Sequence, residues 1–257
     1  MIMRYRAALN GKQLDAVANG IIIKDISYQT PALQYAAASL SGRNGQFIQG
    51  MTRGTASVTI TLEIHEQAVH IRQDVCRKIQ QWALHGGEMT TNDRPGQRIY
   101  VKPSVMPSIE SVKRWTGDIQ IVFTAYEKPY WEDIVPKGVR CAVGENKTLY
   151  VGGTMEKTQV NVTVKNGGES TIQSLTVTAG ESFFVFDGLG LESDEELEIG
   201  HDENGLLYIR VNGESRMDRR TAESSDDLEI MSCEVSGVSI VADGTASAAF
   251  VVRGRYA

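Results

Sequence analysis

Apolar and polar residues alternate along several stretches of the chain, and this alternation predicts β-strands. The clearest example is the segment TASVTITLEI, in which every second residue is apolar. Its apolar positions are Ala56, Val58, Ile60, Leu62 and Ile64. A period of two is typical of a strand with one buried face and one hydrated face. The segments RIYV (residues 98–101) and GDIQIVFTAY (residues 117–126) predict two further strands.

The hydrophobic period changes directly after the first of these strands. In EQAVHIRQDVCRKIQQWALHGG, apolar residues recur at spacings of three and four, which is the pattern of a helix with one buried stripe. The stripe comprises Ala68, Ile71, Val75, Ile79 and Trp82. Gly86 and Gly87 supply a C-terminal stop, because glycine accepts the left-handed conformation that often ends a helix. The sequence therefore predicts a helix over about residues 66–85.

After Pro129 the helical period is absent, and short alternating segments recur between turn signals, as in a β-sandwich. KTQVNVTVKNGG and TIQSLTVTAGESFFVFDG predict three strands, the last two flanking Ala179-Gly180. Asn212-Gly213 in LLYIRVNGES predicts a type I′ hairpin turn. GVSIVADG and SAAFVVRGRYA predict a closing pair of strands joined across Asp243-Gly244.

These patterns predict a mainly β protein of two domains. Residues 1–133 form a β-sandwich-like domain with one α-helix, and residues 134–257 form an all-β sandwich. The segment FTAYEKPYWED lies at the boundary and is rich in aromatic residues. We expect it to fill the seam between the domains, with a ligand-stacking platform as the alternative. The seam candidates are Phe123, Tyr126, Pro129, Tyr130 and Trp131.

Charge is distributed unevenly between the two halves. Residues 1–137 contain 16 Lys and Arg against 12 Asp and Glu, and residues 138–257 contain 10 against 20, so the halves carry +4 and −10. The sequence pI of about 5.3 disfavours nucleic acid as a partner. Arg4 and Arg6 interrupt any N-terminal signal sequence, and no apolar run approaches the length of a membrane span. We therefore expect synthesis in a cytoplasm and no membrane partner.

The residues that usually carry chemistry do not form a recognisable motif. The three cysteines, Cys76, Cys141 and Cys233, are far apart and lack metal-ligand spacing. His65 and His70 straddle a change from strand to helix, and the turn SGRNGQ, with Gly42 and Gly45, lacks the lysine of a phosphate-binding loop. The acidic run LESDEELEIGHDENG lacks the ligand spacing of an EF-hand. We expect no catalytic residue, no cofactor and no metal.

The order of several segments resembles the distal tail proteins of bacteriophages with long, non-contractile tails. These segments are SGRNGQFIQG, SVTITLEI, QQWALHGG, GDIQIVFTAYEKPYWED, AESSDDLEI and the terminal FVVRGRYA, which includes Arg253-Gly254-Arg255-Tyr256. The resemblance spans nearly the whole chain. It departs from the family at MSCEVSG, around Cys233, where such proteins often have a Pro-Gly-x-Asn turn.

The resemblance implies a structural protein of the siphophage baseplate, located in the virion at the tail tip. It implies a homohexameric ring formed by the N-terminal domain and a galectin-like C-terminal sandwich. It also implies three kinds of partner: other copies of the chain, the tail tube protein, and a tail-tip, tail-associated or receptor-binding protein. A ring closes through heterologous contacts, which we expect in the N-terminal half.

Two other functions are open at this point. A galectin-like sandwich could act as a carbohydrate-binding module that contacts host cell-wall polysaccharide. However, Trp82, Trp115 and Trp131 all precede the second domain, which leaves residues such as Tyr208 for stacking on a sugar. A cell-wall hydrolase would need paired carboxylates, and the dense acids lie only in the run from Glu192 to Glu203.

Overall fold

The chain forms two compact units, Met1–Trp131 together with Ala257, and Glu132–Tyr256. The computed structural model describes residues 5–39, 46–66, 68–108, 118–202 and 205–257. The described part is mainly antiparallel β-structure with one α-helix, as the sequence predicts.

The first unit contains β-strands and, within its described residues, one α-helix. Its elements are β1 (Ala7–Leu9), β2 (Lys12–Gln13), a 3-10 helix (Leu14–Ala16), β3 (Ile21–Gln29), β4 (Leu33–Ser39), β5 (Gln46–Arg53), β6 (Ala56–Ile64), α1 (Val69–Ala83), β7 (Gly87–Thr91), β8 (Gln97–Val105) and β9 (Ile119–Ala125). The strands of the main sheet lie in the order β2-β1-β7-β8-β9-β6-β3, and β4 pairs with β5 in a separate sheet. Strand β10 (Trp131–Asp133) lies where the two units divide along the chain.

Alternation along β6 and β9 produces the core of the first unit. Every second residue of β6, from Ala56 to Ile64, is buried, as predicted. In β9 the buried positions are Ile119, Ile121, Phe123 and Ala125. The two strands pair antiparallel, with Ile60 opposite Ile121. Because directly opposed side chains lie on the same face of a sheet, these residues form one continuous apolar surface.

The helix is present, but its buried face differs from the predicted stripe. Ile71 is 40% exposed, whereas its neighbour Arg72 is 3% exposed. Arg72 can be buried because its Nη1 donates a 2.7 Å hydrogen bond to the backbone oxygen of Glu66, ahead of the helix. The other buried positions are Val75, Cys76, Ile79 and Ala83. The helix therefore presents a face rotated away from Ile71, which the apolar spacing alone did not reveal.

The second unit is a sandwich of two antiparallel sheets. Its strands are β11 (Lys137–Ala142), β12 (Asn146–Tyr150), β13 (Lys157–Asn166), β14 (Leu175–Ala179), β15 (Ser182–Phe186), β16 (Glu196–His201), β17 (Leu207–Val211), β18 (Glu214–Ser215), β19 (Glu229–Met231), β20 (Val235–Ala242), β21 (Ala246–Val252) and β22 (Arg255–Tyr256). One sheet has the order β11-β21-β13-β16-β17-β18, with β19 paired to β13, and the other has the order β12-β20-β14-β15. A second 3-10 helix covers Met217–Arg219.

The core of this sandwich contains aliphatic residues from the inner faces of both sheets, together with three phenylalanines. Val160, Val162 and Val164 are buried along β13, as the alternation predicts. Phe184 and Phe186 extend into the same core from β15 and meet edge to face, with ring centroids 6.4 Å apart. The predicted β-sandwich is therefore confirmed.

The Asn212-Gly213 turn is confirmed, but the predicted closing pair of strands is wrong. Asn212 and Gly213 have φ angles of 51° and 84°, and Val211 pairs with Glu214. In contrast, β20 pairs with β12 and β14, whereas β21 pairs with β11 and β13. The connection between β20 and β21 crosses from one sheet to the other. Asp243 holds this crossing, because its carboxylate accepts backbone N–H groups of Gln173 and Ser174 at 3.2 and 3.1 Å.

Candidate functional site

The hairpin of β4 and β5 exposes apolar side chains of the first unit. Its register runs from Leu33 opposite Arg53 to Ser39 opposite Gln46. Within the described residues, neither strand pairs with a third strand. Leu33, Tyr35 and Ile48 are 45%, 55% and 58% exposed.

The composition of this hairpin makes it suited to contact with another protein surface. LQYAAAS, the sequence of β4, contains no charged residue, and QFIQGMTR, the sequence of β5, contains only Arg53. Natural proteins usually protect free strand edges with charged residues, so an exposed pair of strands with a single charged residue favours association with another chain. Sequence reasoning placed only a turn here, at SGRNGQ, and residues Gly42 and Gly45 of that turn lie outside the described residues.

The aromatic seam candidates occupy different environments within the first unit. Phe123 is fully buried, and its ring meets Trp82 edge to face with centroids 6.0 Å apart. Tyr126 is 55% exposed. Pro129 and Tyr130 are partly buried, and Trp131 is buried. Their role as the filling of a seam between domains stays a prediction.

Trp131 is part of a compact aromatic and cationic cluster. Its ring packs edge to face against Tyr28, with centroids 5.4 Å apart. The guanidinium carbon of Arg94 lies 4.6 Å from the centroid of the Tyr28 ring and 5.1 Å from that of Trp131. The Tyr28 hydroxyl donates to Asp93 at 2.7 Å. Burial of this hydroxyl raises the pKa of Tyr28 far above its ordinary value, so Tyr28 stays neutral.

The histidines fall at separate places in the fold. Nε2 of His65 lies 3.3 Å from the Glu63 carboxylate on the exposed end of β6, while His70 and His85 are exposed. His201 is different, because its Nε2 lies 2.8 Å from Oδ1 of Asp227 and only 6% of its side chain is exposed. This pair was missed by sequence reasoning, because the two residues are 26 positions apart and belong to no spaced motif.

The surroundings of Asp227 keep it ionised. Burial acts to raise its pKa, but hydrogen bonds from His201 and Gln159 and from the backbone of Leu228 outweigh that effect. The pKa of Asp227 is therefore lowered from 3.8. Nε2 of Gln159 donates to Oδ2 of Asp227 at 2.8 Å, and Arg255 in turn donates to Oε1 of Gln159 at 2.5 Å. The His201–Asp227 pair is thus part of a hydrogen-bond network that links separate segments of the sandwich.

Other chemistry-bearing residues are dispersed. No group of three or more His, Cys, Asp or Glu within the described residues is arranged to hold a metal ion. Burial raises the pKa of the Cys76 and Cys141 thiols, which favours their unreactive protonated form. Cys233 is exposed and adopts a φ of 61° in the MSCEVSG segment, where its backbone N–H donates to the oxygen of Val151 at 2.8 Å.

The acidic run holds a turn together. Asp194 has a φ of 62° and lies 3.4 Å from Nζ of Lys165. The Glu195 carboxylate accepts the backbone N–H of Glu192 at 2.9 Å and the side-chain amide of Asn212 at 2.7 Å. Glu203, the last acid of the run, lies outside the described residues. Asp194 and Glu195 therefore stabilise the turn that leads into β16.

Aromatic side chains of the second unit are partly covered by cations. The guanidinium carbon of Arg210 lies 4.6 Å from the centroid of the Tyr208 ring, and Nζ of Lys137 lies 5.1 Å from that of Tyr150. A ring stacks on a pyranose through an open face. The Arg210 contact occupies one face of Tyr208, which weakens the case for sugar binding at that residue.

Comparison with solved structures assigns the fold. The crystal structure of the SPP1 Dit (gp 19.1) protein, described as a paradigm of the hub adsorption apparatus in phages that infect Gram-positive bacteria, aligns with a TM-score of 0.67. The alignment covers 98% of this chain and 99% of that chain at 10% sequence identity. The resemblance to distal tail proteins is thereby confirmed at the level of the fold.

Two further similar structures are baseplates of phage P2 in the activated conformation. The one with Ca has a TM-score of 0.49 at 9% identity and covers 99% of this chain and 98% of that chain. The one with Sr has a TM-score of 0.45 at 9% identity and covers 98% of each chain. No protein-family model and no curated protein matches the sequence. Among the described residues, no helix has the length and apolarity needed to cross a membrane.

Proposed function

We propose that this protein is a structural component of a phage tail tip, where six copies form a hub ring. In this proposal the ring joins the tail tube to the tail-tip or receptor-binding apparatus, and the protein is not an enzyme. The observation that carries the proposal is the fold likeness to a phage hub protein over 98% of this chain and 99% of the other. Likeness over both whole lengths supports a shared role better than likeness of one domain, since sandwich domains occur in many unrelated proteins.

The proposed ring is built by residues 1–133. The exposed hairpin of β4 and β5, whose strands contain one charged residue, Arg53, supports this assignment, because an isolated two-stranded ribbon is marginal in water and gains stability when a neighbour covers it. In a ring each subunit would lay its hairpin on a different surface of the next subunit, which is the heterologous contact that closes after a fixed number of copies. Residues 134–257 form the galectin-like sandwich of the proposal. Its charge of −10 beyond residue 137 keeps it soluble.

The proposal is tested by comparing two substitutions at equally exposed apolar residues. Ile48 on the hairpin and Leu84 at the end of α1 are both 58% exposed. We expect Ile48→Lys to prevent ring formation, because it introduces a charge into the contact that the hairpin makes. Leu84→Lys adds the same charge to the same unit and should leave the ring intact. Circular dichroism should show the same β-rich spectrum for both variants.

The measurement is negative-stain electron microscopy and light scattering on the full chain, alone and co-expressed with the tail tube protein. Co-expression is needed because a ring can depend on its partner for assembly. Six-fold rings for the wild type and for Leu84→Lys, with monomers for Ile48→Lys, support the proposal. A wild-type chain that stays monomeric in both preparations contradicts it.

A further inference from the structure

We draw no further inference here: the strongest candidate, the outer face of the sheet β12-β20-β14-β15 with its exposed side chains Tyr150, Phe183, Val235 and Val241, carries none because nothing in the structure shows what covers it.

Discussion

The imidazole Nε2 of His201 lies 2.8 Å from Oδ1 of Asp227, and through this contact the end of β16 is tied to the segment that precedes β19. The other carboxylate oxygen of Asp227 accepts from Gln159 on β13. One carboxylate therefore links three parts of the sandwich that are distant in the sequence. Because charged hydrogen bonds of limited exposure are stronger than those at the surface, this network should contribute measurably to folding.

Replacing Asp227 by asparagine should destabilise the protein. The asparagine keeps the shape but loses the charge that His201 and Gln159 face, so we expect the free energy of unfolding to fall by about 1–3 kcal/mol. Urea unfolding followed by circular dichroism measures the change. Glu223→Gln, at an exposed position, is the control and should change stability by less than about 0.5 kcal/mol. Equal effects of the two substitutions would show that the network contributes nothing.

The contribution of Asp227 should depend on pH in one direction. Its pKa is lower in the folded protein than the ordinary value of 3.8, so its stabilising effect is fully present above that value. The effect is lost as the pH falls through the lower folded pKa, because both states are then protonated. The stability difference between wild type and Asp227→Asn should therefore shrink below about pH 4. A difference that grows on acidification would contradict this assignment.

The turn at Asn212-Gly213 should tolerate substitution poorly at its second position. Gly213 has a φ of 84° with no atom near the place of a Cβ, so Gly213→Ala tests backbone conformation alone. We expect a loss of about 1–2 kcal/mol, the cost of a left-handed conformation for an L-residue. Gly167 is the matched control, since its Cβ position is equally open and it has no positive φ. Thermal unfolding should show a lower Tm for Gly213→Ala and little change for Gly167→Ala; the reverse order would refute the turn geometry.

Thr221 should gain stability from loss of its hydroxyl. Its Oγ1 is buried and has no hydrogen-bond partner in the described structure. Thr221→Val replaces the oxygen by a methyl group of similar size, so we expect stability to rise by about 1 kcal/mol. Thr221→Ser retains the hydroxyl and removes a methyl group, so it should lower stability. Differential scanning calorimetry measures the stability of both variants. A valine variant less stable than wild type would indicate that the hydroxyl has a bound partner in solution.

Trp131 should contribute strongly to the first unit. Its ring contacts Tyr28 and lies near Arg94, and only 4% of the residue is exposed. We expect Trp131→Ala to cost about 3–5 kcal/mol, the usual loss for a large buried aromatic side chain. Tyr126→Ala, at a residue that is 55% exposed, is the control and should cost less than about 1 kcal/mol. Guanidinium unfolding monitored by circular dichroism measures both variants. Equal losses in the free energy of unfolding would contradict the prediction.

The sequence by itself determined features that depend on a few consecutive residues. The buried face of β6 followed from a period of two, because side chains of a strand alternate between its faces wherever that strand lies. The turn at Asn212-Gly213 followed from residues that accept positive φ. The existence of α1 followed from apolar spacings of three and four, and the all-β character of the second half followed from short alternating segments. The resemblance to distal tail proteins, carried by the order of motifs, was correct for the fold.

Only the tertiary structure decided which elements meet. Ile71 looks like a core residue from its spacing, yet Arg72 is buried in its place because a backbone oxygen satisfies its guanidinium. The strands β20 and β21 are consecutive, yet they join different sheets, and Asp243 between them accepts a hydrogen bond from the backbone N–H of Ser174. The pairing of His201 with Asp227 unites the end of β16 with the segment that precedes β19. Such contacts depend on packing between distant segments, whereas the periodicity of a sequence reports only the preferences of neighbouring residues.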